Sequence, residues 1–117
     1  MEVADDLVAL KPDVILTMGT VAATALRAAT KSIPVVFVNV TDPVAGGYVA
    51  SLARPGGNMT GFTPFEYPIA GKWLALLKQA APGLNRVALM GDPNNHNYRG
   101  FWPPFESTAQ SLAIQPL

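Results

Sequence analysis

Residues 41–62 read TDPVAGGYVASLARPGGNMTGF, and they join the end of one apolar run to the start of another. The pair Asp42-Pro43 closes the run Val35 to Val38, because proline removes a ladder donor and steers the residue before it away from helical dihedrals. Gly46-Gly47 then lets the backbone approach a neighbour closely. Pro55-Gly56-Gly57-Asn58 is a tight turn by composition: proline presets φ, and glycine or asparagine accepts positive φ. Between the turns, Tyr48 to Ala53 is a short apolar helix or loop. The whole stretch reads as a ligand loop followed by a crossover.

Working upstream, Val14-Ile15-Leu16 is a short continuous apolar run, the pattern of a parallel strand buried on both faces. Gly19-Thr20 turns into a helix with Thr20 as its N-cap and Ala22, Ala25, Leu26 and Ala29 as its inward stripe. Lys31-Ser32 leads to the strand Val35 to Val38, so strand, helix and strand make a βαβ unit with a right-handed crossover. Before it, Val3, Leu7 and Leu10 fall at helical spacing up to Lys11-Pro12, and the chain is expected to open inside the last part of a helix.

Downstream, Met59 to Phe62 is a weaker strand, and the chain changes direction over Thr63-Pro64-Phe65-Glu66. Ile69, Trp73, Leu74, Leu77 and Ala80 repeat at helical spacing until Pro82-Gly83, which places Trp73 in the core. Arg86 to Met90 reads as another buried strand, and Asp92 to Gly100 as a polar loop. Pro103-Pro104 suits the first turn of a last helix carrying Phe105, Ala109 and Leu112. Ile114 to Leu117 begins one more strand. Alternating strands and helices define an α/β class with a mostly parallel sheet.

Composition narrows the function. Half of the 117 residues are hydrophobic and 14% are charged, which excludes a disordered chain. Eight basic residues balance eight acidic ones, so no charge field recommends nucleic acid or an anionic membrane. With no cysteine there is no disulfide, thiolate metal site, cysteine nucleophile or lipobox on this stretch. No apolar run approaches the ~20 residues that cross a bilayer, and the N-terminus lacks the basic start and apolar core of a signal peptide. Hydrolase, zincin and phosphate-loop signatures are missing, and no cofactor is implied. His96 is the single histidine and reads as an ordinary loop residue. Asn58-Met59-Thr60 matches a glycosylation triplet that is frequent by chance. Trp102, beside Phe101 and two prolines, reads equally as a stacking surface or as core.

In open α/β sheets the ligand crevice lies beyond the carboxyl ends of the strands. That rule selects three loops. At Gly19-Thr20, free helix N–H groups and the positive end of the dipole can accept a carboxylate or phosphate, the alternative being an ordinary cap. At Thr41-Asp42, a carboxylate can pair with an ammonium group or simply start a turn before proline. At Asp92 to Tyr98, amides and one aromatic face are available, as they are in any turn-rich surface loop.

Several segments together resemble the substrate-binding proteins of ABC transporters, the TrpX-like group with a type I periplasmic-binding-protein-like fold. They are Pro34 to Asn39, Thr41 to Val44, Ser51 to Asn58, Thr60-Gly61-Phe62, and Gly71 to Leu74 with Leu76-Leu77-Lys78. The resemblance implies parts of two α/β lobes joined by a hinge crossing at Gly61 to Glu66: residues 1–62 as the later part of the first lobe and 63–117 as the hinge and opening of the second. The chain would then be an internal fragment. It further implies that Asn94, Asn97 and Tyr98 face the ligand from the second lobe, whereas Asp92-Pro93 departs from the Asn-Pro usual there. The function so implied is capture of a small solute for delivery to an ABC permease, in a periplasmic or membrane-anchored extracytoplasmic setting and without catalysis. An amino acid zwitterion is the preferred ligand, its carboxylate at Gly19-Thr20 and its ammonium at Asp42. The alternatives are a flavodoxin-like enzyme or regulatory domain binding a phosphorylated ligand, and a truncated remnant without activity.

Overall fold

The βαβ unit expected around the second apolar run is present. In the computed structural model, which describes residues 2–117, strands β1 (Ile15–Met18), β2 (Val35–Val38) and β3 (Met59–Phe62) form one sheet in that order. Both pairings are parallel, with Ile15 opposite Val35 and Val35 opposite Met59. Parallel neighbours need a long connection. The first is α2 (Thr20–Ala29); the second is the stretch after Val38, which runs to Asn58 in turns and bends.

One face of this sheet is covered. Ile15, Val35, Phe37 and Met59 pack with Ala23 and Leu26 of α2 and with Ala4 of α1 (Glu2–Ala9). The other face is open, with Leu16 and Met18 each 73% exposed and Phe62 72%. The reading of Val14 to Leu16 as buried on both sides is therefore corrected: side chains alternate across a strand, and the described helices cover one side alone. In α1 the residues at helical spacing do not mark the buried face. Val3, Leu7 and Leu10 point outward, while Ala4 and Val8, one turn apart, meet the core because a small residue lets the helix approach the sheet. In α2 the buried residues are Ala23 and Leu26, Ala22 is exposed, and Gly19 takes the cap position assigned to Thr20.

The chain divides into two compact units, Met1–Glu66 and Tyr67–Leu117. In the second, β4 (Arg86–Val87) pairs in parallel with β5 (Gln115–Pro116), and α3 (Ile69–Ala80) and α4 (His96–Ser111) pack around Ala70, Leu74, Phe105, Ala109 and Ile114. Trp73 is not a core residue. It is 43% exposed, its ring lying beside Phe101 at the flank of α3 while Ala70 and Leu74 hold the inward face. Trp102 is half-buried, against Phe105. The strand expected to reach Met90 shrinks to Arg86–Val87.

Helix α4 begins earlier than the prolines indicate. The Asn95 side chain accepts from the Asn97 N–H at 2.9 Å, an N-cap that satisfies one first-turn donor. Pro103 and Pro104 then lie inside the helix, where they withhold two ladder donors without ending it. Each of the three tyrosines covers a glycine: a Cβ at Gly46, Gly91 or Gly100 would run into the ring of Tyr48, Tyr98 or Tyr67 respectively. Among the described residues no helix is long and apolar enough to cross a membrane.

Candidate ligand site

Strand β1 hands over to α2 through Gly19, at φ 86 and ψ 157, a backbone conformation that L side chains rarely adopt. Its N–H donates to the Val38 carbonyl at 2.9 Å, which sets the start of α2 beside the end of β2. A Cβ at Gly19 would meet no atom within 4 Å, so the space before the helix is open. Glycine also brings no side-chain cap, and the first-turn N–H groups of α2 keep their donor capacity and the positive end of the dipole. Beside them the Thr20 hydroxyl is buried and has no hydrogen-bond partner.

Beyond β2, Thr41 and Asp42 are each 8% exposed. Asp42 has φ 42, in the left-handed region where aspartate is enriched among L-residues. Its N–H donates to the Phe65 carbonyl at 2.9 Å, its Oδ1 accepts from the Ala45 N–H at 3.0 Å, and its own carbonyl accepts from the Gly46 N–H at 2.9 Å. The carboxylate thus organises the turn that follows it. An anionic group and a set of free helix N–H groups consequently sit at the carboxyl ends of neighbouring parallel strands, an arrangement matched to a ligand with one positive and one negative end.

The turn is tied to α2 by residues that sequence reasoning missed. Arg27 Nη1 donates to the Gly46 carbonyl at 2.6 Å, and its guanidinium lies 4.9 Å from the centre of the Tyr48 ring. The Tyr48 hydroxyl is 2.6 Å from Thr24 Oγ1. Composition marks each of the two, an arginine within an alanine-rich helix and a tyrosine in a glycine-containing loop, but not that they meet.

The remaining predicted residues lie in the second unit, near the start of α4. Asn94 is exposed, and its N–H donates to Asp92 Oδ1 at 2.9 Å. Asn97 and Tyr98 are on the first helical turn, not in a loop: the Asn97 side-chain oxygen is buried without a partner, and the Tyr98 hydroxyl donates to the Leu89 carbonyl at 3.4 Å. His96 likewise falls within the helix. Asn58 of the glycosylation triplet uses its side-chain amide on the Ile33 carbonyl, at 2.8 Å, bridging two connections. Among the described residues no three His, Cys, Asp or Glu side chains gather where a metal ion could be held.

The architecture agrees with known proteins. The family model for ABC transporter substrate binding proteins matches residues 1–115, and the chain belongs to that family. A tyrosine-binding protein of Clostridioides difficile is 36% identical over 95 residues, covering 81% of this chain and 27% of that protein. A conserved domain protein from Vibrio cholerae superposes with a TM-score of 0.87 at 30% identity, over 99% of this chain and 38% of that one. An ABC domain from Streptococcus pneumoniae in complex with L-Trp gives a TM-score of 0.84 at 27% identity, over 99% of this chain and 39% of that one. The chain thus spans well under half the length of these relatives. The fold is α/β with parallel strands, as in periplasmic-binding-protein-like structures.

Proposed function

We propose that this chain forms part of a non-catalytic clamp that captures an amino acid with an aromatic side chain and delivers it to an ABC permease. The observation that carries the reading is that the uncapped start of α2 at Gly19-Thr20 and the buried Asp42 follow the carboxyl ends of two adjacent parallel strands. The helix N–H groups would receive the ligand carboxylate, and Asp42 its ammonium. The names of the Clostridioides difficile and Streptococcus pneumoniae relatives, tyrosine-binding and in complex with L-Trp, support the ligand class. Asn94, Asn97 and Tyr98 would supply polar contacts from the second unit.

In this reading the two units belong to two lobes, Gly61 to Glu66 is the crossing between them, and binding is hinge closure over the solute. The setting is extracytoplasmic, as the transport role requires. Mass spectrometry of small molecules that co-purify with the intact gene product, followed by calorimetry with L-tyrosine and L-tryptophan, tests the proposal. A saturable, enthalpy-producing interaction with either supports it; a phosphorylated metabolite as the sole bound species sinks it.

A further inference from the structure

We infer that Arg27 and Tyr48 are positioning residues: they hold the Asp42 turn at a set distance from the first turn of α2, and so make the site select ligands that present both ends of a zwitterion. This rests on the amino-acid reading above. The Thr24 hydroxyl donates to the Thr20 carbonyl at 2.8 Å. A hydroxyl has one proton to give. In its 2.6 Å contact with Thr24 Oγ1 the Tyr48 phenol must therefore be the donor, so a directed chain runs from Tyr48 through Thr24 to the residue at the start of α2. A second brace runs in parallel. Arg27 makes a charge-assisted bond to the Gly46 carbonyl at 2.6 Å and caps the Tyr48 ring, whose other neighbour is the buried Phe37, with ring centres 6.3 Å apart. Gly46 is in turn bonded through its N–H to the Asp42 carbonyl.

The turn that begins at Asp42 is thus fastened, at Gly46 and Tyr48, to the helix whose first turn forms the other half-site. A ligand gripped at one end tolerates a shift of the turn, because it can move with that half. A ligand gripped at both ends cannot, and loses one contact or strains both.

Calorimetry on the intact gene product tests this with L-tyrosine and L-tryptophan, each beside its decarboxylated amine and its deaminated acid. Tyr48→Phe keeps the ring and removes the donor, and Arg27→Gln keeps most of the stem and removes the charge. Losing one such bond is expected to weaken the preferred amino acid by about fivefold to tenfold. The single-ended analogues should change by less than about twofold in the same variants. Equal weakening of all three ligands, or unchanged amino-acid affinity in both variants, overturns the positioning role. A wild-type protein that binds an analogue as well as the amino acid overturns the zwitterion reading and this inference together, before any variant is compared. Since melting temperature alone would also fall for a merely structural brace, the ratio of amino acid to analogue affinity is the deciding quantity.

Discussion

Asp42→Asn separates charge from architecture at the centre of the candidate site. Asparagine keeps a side-chain oxygen able to accept from the Ala45 N–H, and it tolerates the left-handed backbone found at φ 42. The fold should therefore change by less than about 0.5 kcal/mol. Ligand binding should change far more, because a hydrogen bond to a charged group contributes about 1.5–3 kcal/mol, or roughly tenfold to a hundredfold in Kd. Asp42→Ala is the companion. It loses the acceptor for the Ala45 N–H, at about 1 kcal/mol, and places a Cβ without a local hydrogen bond in the left-handed region, at about 1–2 kcal/mol more, so stability as well as affinity should fall. Urea denaturation at constant slope gives the stability change and calorimetry the affinity. If Asp42→Asn binds L-tyrosine and L-tryptophan as tightly as the wild type while unfolding at lower urea, the carboxylate serves the turn alone and the zwitterion assignment fails.

Neighbouring residues of α3 provide a second contrast: Leu74→Ala, at a site 2% exposed, should cost about 2–5 kcal/mol, and Trp73→Ala, at 43% exposure, about 2 kcal/mol, both read from denaturant midpoints. A Trp73 cost equal to or above that of Leu74 would contradict the burial described here. Gly61 lies opposite Phe37 in the register, and a Cβ there would strike the Phe37 carbonyl, so Gly61→Ala should destabilise by about 1–3 kcal/mol. An alanine variant of wild-type stability would show that β3 relaxes freely. The open sheet face predicts concentration-dependent self-association of the isolated chain in light scattering, reduced by Leu16→Lys and Phe62→Lys. Scattering that is monomeric at all concentrations before substitution would refute that role for the face.

The order of elements was legible because short apolar runs are punctuated by glycine and proline, as at Asp42-Pro43 and Pro82-Gly83. Which residues of each stripe are buried was legible only in part. Leu26, Leu74, Phe105 and Ala109 lie inward as their spacing indicates, but periodicity does not specify the contact that buries a stripe: Ala23 replaces Ala22 in α2, Ala70 replaces Trp73 in α3, and in α1 Ala4 meets the core while Val3 and Leu7 do not. The start of α4 was obscured because two prolines outweighed a single asparagine cap in the local reading, although the helix tolerates both prolines. At the site, Gly19-Thr20 and Thr41-Asp42 followed from a general rule about strand ends. Arg27 and Tyr48 meet across a connection whose path no local pattern specifies, and so they stayed hidden.

The three tyrosines stacked over glycines have a consequence for how this sequence can diverge. At each pair the space for a methyl group is occupied by a ring, so a side chain gained on one member demands a smaller one on the other. Gly91 with Tyr98 and Gly100 with Tyr67 should accordingly drift as linked couples, a single change being harmful and the compensating double change mild. Pairwise mutational libraries across the second unit would display this as sign epistasis confined to those positions. Gly46 and Tyr48 face a tighter rule, because the ring that fills the glycine's space also carries the hydroxyl bonded to Thr24, and no smaller residue can replace both.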